Sequence, residues 1–144
     1  MQRALVVVDP VPEMERLLEL AAEYADCADA ELVLFHVTDE QAGEQTRRKM
    51  AAFVGGDHRY EPSVDDNQRF AADVGTAFLD DVPFEASGAV GDPPGRILAA
   101  AADSDSDHVF MTGRKRSPTG KAVFGDTTQA VLLGASCPVT LVMR

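Results

Sequence analysis

The sequence predicts a doubly wound α/β domain: a five-stranded parallel sheet with helices on both faces, Rossmann-like in layout. Three observations predict it. Short apolar runs are unbroken, as in strands covered on both faces. Between them lie stretches whose apolar residues recur at spacings of three and four, the mark of a helix with one buried face. Asp, Gly and Pro punctuate the ends of these runs. Such alternation implies parallel strands joined by right-handed crossovers. A length of 144 residues with 45% hydrophobic content fits one domain, residues 1–144, with a single well-formed core.

The elements follow in order. "QRALVVV" (2–8) is a buried strand ending at Asp9 and Pro10. Met14, Leu17, Leu18, Ala21, Ala22 and Ala25 mark the face of a first helix. "ELVLFHV" (31–37) is the second strand, residues 40–54 a helix on which "RRK" (47–49) is expected to be solvated, and 55–66 a loop. A helix over about 66–79 leads to a strand at 82–90. Asp92 is placed to cap the next helix with Pro93 at its first position, where proline loses no needed hydrogen bond. "HVFMT" (108–112), a short helix at 127–133 and "PVTLVM" (138–143) complete the chain.

The net charge is −11, from 24 acidic and 13 basic residues. So acidic a surface repels nucleic acid and anionic lipid. Only 3 of the 13 basic residues are Lys, and a lysine-poor acidic surface fits a halophilic, salt-adapted protein whose self-repulsion is screened in concentrated salt. No stretch is long and apolar enough to span a membrane and no leader is visible, so a cytoplasmic location is expected. Cys27 and Cys137 lack metal-ligand spacing and are read as reduced, mostly buried thiols.

In open α/β sheets ligands bind beyond the carboxyl ends of the strands. The strand ends here are Asp9, Val37 to Asp39, Gly91 and Gly113. Asp9 can meet a ligand, cap the first helix or simply sit on the turn before Pro10. His36, inside a buried strand, is read as a packed, hydrogen-bonded histidine. "DSDSDH" (103–108) lacks the glycine and distal glutamate of a calcium loop. No Ser-His-Asp or Cys-His arrangement or carboxylate pair stands out, so no catalytic residue and no metal requirement is assigned.

"TGRKRSPTGKAVFGDTTQAV" (112–131) combines glycines with Arg114, Lys115, Arg116 and Lys121 ahead of a helix start. Amides at a helix N-terminus bind anions, and arginine grips phosphate oxygens through paired hydrogen bonds. It is not a Walker loop, because Lys115 stands where the first glycine belongs and Ala122 where Ser or Thr belongs. Against phosphate binding stands Asp126, which can cap this helix in a box with Gln129. A carboxylate about 4 Å from a phosphate repels it by about 1 kcal/mol in water, or about 4 at an effective dielectric of 20.

Four segments carry a resemblance over nearly the whole chain: "VVVDP", "LFHVTD", "GDPPGRIL" and "MTGRKRSPTGKAVFGDTTQAVLLGASCPVTLV". Together they resemble the universal stress proteins, whose fold is adenine nucleotide alpha hydrolase-like. That resemblance implies a stress-response protein, not an enzyme, that pairs as a homodimer through the last strand (138–143). One branch of the family binds ATP through a loop of Gly, two residues, Gly, nine residues, then Gly and Ser or Thr. Carried over, Asp9 would meet the ribose and Val37 the adenine, while Gly113 opens and Gly125 closes the phosphate loop. This chain departs from the pattern. The second glycine is Arg116, the loop is one residue shorter, and Asp126 replaces Ser or Thr ahead of Thr127.

Two readings follow. In the first, an adenine nucleotide (ATP or AMP) is a regulatory ligand held by Asp9, Val37, Gly113, Arg114, Arg116 and the Gly125–Thr127 backbone. In the second, Asp126 occupies the phosphate's place and the protein is a non-nucleotide-binding dimeric module for partner proteins. A phosphorylated metabolite or another anion on the arginine-rich loop is a third possibility.

Overall fold

The computed structural model describes residues 2–114 and 124–144. It contains β1 (Gln2–Val7), α1 (Met14–Ala28), β2 (Ala30–Thr38), α2 (Glu44–Val54), α3 (Val64–Phe78), β3 (Phe84–Val90), α4 (Pro93–Asp103), β4 (His108–Gly113), α5 (Asp126–Gly134) and β5 (Val139–Met143). All strand pairs are parallel, in the order β3-β2-β1-β4-β5. The order reverses at β1. From there the chain runs outward through β2 and β3, then returns to add β4 and β5 on the other side.

The apolar strands bury both faces by simple alternation. Ala4, Val6 and Val8 join Leu32, Leu34 and Phe110 beneath Met14, Leu17 and Leu18 of α1, Met50 of α2 and Phe70 and Val74 of α3. Leu5 and Val7 join Val33, Phe35, Val37, Val109 and Met111 beneath Ile97 of α4 and Val131 of α5. Each fully buried large aliphatic or aromatic side chain contributes about 1.5–3 kcal/mol.

Local chemistry explains where the boundaries differ from expectation. The Asp39 carboxylate accepts from the Gln41 amide at 2.8 Å, a turn that delays α2 to Glu44. The Ser63 hydroxyl accepts from the Asp66 amide at 3.1 Å and caps α3, so that helix starts at Val64. β3 begins at Phe84, after Asp81 takes a left-handed φ of 58° and Pro83 withholds an amide. Asp92 caps α4 as expected, accepting from Gly95 at 3.3 Å.

The cysteine expectation needs correction. Cys27 is exposed, because it falls off the stripe formed by Met14, Leu17, Leu18 and Ala21. Cys137 is half-buried, and both cysteines are free thiols. Among the described residues no helix is long and apolar enough to cross a membrane.

Candidate functional site

β1 and β4 lie side by side, and the chain leaves their carboxyl ends toward opposite faces of the sheet. That divergence opens a crevice. A cavity of about 310 Å³ occupies it. β1 and its turn supply Val7, Asp9 and Pro10, β2 supplies Val37, and β4 supplies Met111 and Thr112. The N-terminal ends of α4 and α5 add Pro93 and Thr127. Larger grooves of about 450 and 550 Å³ run along α4, one over β2 and β3 and the other toward Cys137. Neither includes Asp9 or Thr127.

Asp9 is held on a tight turn, its carbonyl accepting from the Val11 amide at 2.9 Å. It does not cap α1, whose N-cap is Glu13 with no side-chain capping bond. The carboxylate is one-third exposed and lies 3.7 Å from Nδ1 of His36. His36 is the packed histidine expected: Nδ1 lies 2.7 Å from the Val8 carbonyl, and the ring tilts against Phe70. A carbonyl can only accept, so Nδ1 carries the proton and donates. Burial pushes the His36 pKa below the ordinary value, against the opposing pull of Asp9 and the Val8 hydrogen bond.

Beside β2, the buried amide of Asn67 on α3 donates to Thr38 Oγ1 at 2.9 Å and to the Ala89 carbonyl at 2.7 Å. This ties the carboxyl ends of β2 and β3 to one helix and fixes the wall that carries Val37. Thr112 stands out at the end of β4. It lines the cavity, is only 3% exposed, and its hydroxyl has no hydrogen-bond partner among the described residues. Buried hydroxyls without a partner are uncommon.

Gly113 ends β4 in register with Met143, where a Cβ would come within 2.9 Å of the Met143 sulfur. The Arg114 amide reaches Thr128 Oγ1 at 3.4 Å, and its carbonyl accepts from the Gly125 amide at 2.7 Å. Arg116, with Lys115 and Lys121, lies outside the described residues. The expected capping box at α5 is corrected. Gly125 is the N-cap, without a side-chain cap, and Asp126 is the first helical residue. The helix starts one residue early because Gly125, in extended conformation, already offers its carbonyl to the Gln129 amide at 2.9 Å. A carboxylate in the first turn still gains from the helix dipole.

The structure thus brings Asp9, Val37 and Thr127 onto one cavity, whereas Gly113, Arg114, Gly125 and Asp126 lie at the adjoining ends of β4 and α5 and are not among its lining residues. Sequence reasoning missed Thr112, Thr128, Lys49 and Arg144, which also line it. "RRK" was expected to be solvated. Arg48 and Lys49 are exposed, as expected, whereas Arg47 is half-buried; Arg47 pairs with Glu61 at 3.0 Å and Arg48 with Glu44 at 3.1 Å, and Lys49 borders the cavity. Among the described residues, no group of three or more His, Cys, Asp or Glu side chains is placed to hold a metal.

Solved structures share this fold. A universal stress protein from Archaeoglobus fulgidus is 20% identical, with a TM-score of 0.62 over 98% of this chain and 93% of that one. A universal stress protein crystallised in complex with cAMP is 18% identical, with a TM-score of 0.62 over 99% and 96%. The Archaeoglobus fulgidus protein in complex with dAMP is 17% identical, with a TM-score of 0.52 over 98% and 96%. No curated protein matches the sequence. The universal stress protein family matches residues 1–143, and this chain belongs to it.

Proposed function

We propose that the protein binds an adenine nucleotide, ATP or AMP, in the cavity at the β1–β4 divergence, as a regulatory ligand in a stress response. The observation that carries this reading is the meeting of Asp9, Val37 and Thr127 on one cavity beside the unpartnered Thr112 hydroxyl. The Asp9 carboxylate accepts from ribose hydroxyls, and Val37, only 8% exposed, packs against the base. Amides at the start of α5 and the backbone of Gly113 face the phosphates. Arg114 and Arg116 add charge from the loop. Family members in complex with cAMP and dAMP support an adenine ligand. The reading requires no catalytic group and no metal.

We also propose a homodimer formed through β5. This strand is an edge of the sheet, and all five of its residues are half-buried in the single chain. An apolar edge strand offers unpaired backbone groups to a second copy.

Thermal unfolding with added ligand tests the nucleotide reading. At about 100 times its dissociation constant a ligand adds about 2.7 kcal/mol. ATP or AMP should raise the melting temperature, and Asp9→Asn should weaken both along with adenosine. If neither nucleotide moves it, the cavity is not a nucleotide site. The protein is then better described as a dimeric interaction module with Asp126 in the phosphate's place.

A further inference from the structure

The cavity's charged lining is opposite in sign to the rest of the molecule. The chain carries 24 acidic and 13 basic residues, yet the charged residues lining this cavity are Asp9, Lys49 and Arg144, two cations against one carboxylate. Neither cation belongs to the glycine loop. Lys49 comes from α2, and it is the only one of the 3 lysines outside residues 115–121. Arg144 follows β5, its amide donating to the Gly113 carbonyl at 2.8 Å.

Arg47 and Arg48, directly before Lys49, each hold a glutamate. Lys49 and Arg144 form no ion pair among the described residues. Two cations on the rim of one cavity focus positive potential there. The amino end of α5 adds to it through Thr127 and Thr128, which line the cavity, whereas Asp126 does not. The buried Thr112 hydroxyl, without a partner among the described residues, adds an independent sign that the cavity is built for a polar ligand.

We propose that Lys49 and Arg144 hold the phosphate groups of the bound nucleotide and make the cavity select nucleotides over the uncharged nucleoside. This rests on the nucleotide reading and adds to it. Phosphate recognition passes from backbone amides at a missing glycine to side-chain cations from two other elements. Lys49 acts as a point charge on a flexible stem, and Arg144 can offer two parallel N–H donors.

Calorimetric titration of adenosine, AMP and ATP into the wild type, Lys49→Gln and Arg144→Gln tests it. Both side chains are exposed, so the variants should melt at the wild-type temperature without ligand. Each substitution should leave adenosine affinity unchanged and weaken ATP about three- to tenfold. Each should also flatten the dependence of ATP binding on KCl. If both variants keep the wild-type ratio of ATP to adenosine affinity, Lys49 and Arg144 are not phosphate ligands, and the nucleotide reading survives without them. A wild type that binds neither adenosine nor ATP overturns the nucleotide reading and this proposal with it.

Discussion

The Gly125 amide donates to the Arg114 carbonyl at 2.7 Å, pinning together the two ends of the segment between β4 and α5. The contact sets where α5 begins, and so where its first-turn amides point. Gly125 has a φ of −62°, which suits proline, and among the described residues an added Cβ would meet only the Arg114 Cβ and carbonyl at 3.6 Å. Gly125→Ala should therefore be tolerated within about 0.5 kcal/mol. Gly125→Pro removes the donor and should cost about 1 kcal/mol in urea unfolding.

Acid should weaken the fold through His36. Its folded pKa lies below 6.5, so the unfolded chain takes up the proton first as pH falls. Stability is full above about 6.5 and declines below it until the folded pKa is reached. His108, lowered by burial, adds in the same direction. His36→Phe should flatten the decline in urea midpoint between about pH 8 and 5, while costing about 1 kcal/mol at pH 8 for the lost bond to Val8.

Gly88 lets α3 press directly on β3. A Cβ there would lie 2.3 Å from the Gln68 amide nitrogen and 2.7 Å from the Val64 carbonyl oxygen, both backbone atoms. No rotamer change relieves such a clash, so the helix must move as a body. Gly88→Ala should destabilise by about 2 kcal/mol or more in chemical denaturation. It should also loosen the Asn67 bridge that holds the wall behind Val37.

Salt should stabilise the protein. Between 0.1 and 1 M KCl the Debye length shortens from about 10 to about 3 Å, which screens repulsion in a chain of charge −11. The melting temperature should rise over that range. A flat response would remove the case for salt adaptation.

If β5 pairs two copies, sedimentation should show a species of about 31 kDa, two chains of 15.4 kDa each. A single 15.4 kDa species at micromolar concentration would leave β5 as a plain edge.

All ten elements were legible in the sequence: strands covered on both faces read as apolar runs, α1 shows an apolar stripe, and α4 and α5 announce themselves by their start signals, Asp92 with Pro93 and "DTTQ". Boundaries slipped where a side chain acted on the backbone, as at Asp39 and Ser63. Ser63 with Asp66 three residues on was a readable cap signal for α3. The site was legible only in part. Asp9 and Val37 mark strand ends, but nothing local ties Lys49 on α2 or Arg144 after β5 to the same cavity. Their convergence comes from the 3-2-1-4-5 strand order and the path of α2. "RRK" is solvated at Arg48 and Lys49, as its charges spread around the helix imply, but nothing in its sequence tells that Lys49 borders the cavity while Arg47 is held half-buried against Glu61. At α5, Gly125 took the capping role through its backbone, a choice that the sequence "GDTTQ" leaves open between glycine and aspartate.

The most direct test of the nucleotide site is an amide NMR titration of the full-length protein with ATP. Binding in the cavity predicts saturable shifts concentrated on Asp9, Val37, Thr112, Gly113, Thr127, Thr128 and Arg144. No shifts at millimolar ATP would contradict it. So would shifts gathered instead on Arg96, Ser87 and Ser104, along the groove between α4 and β3.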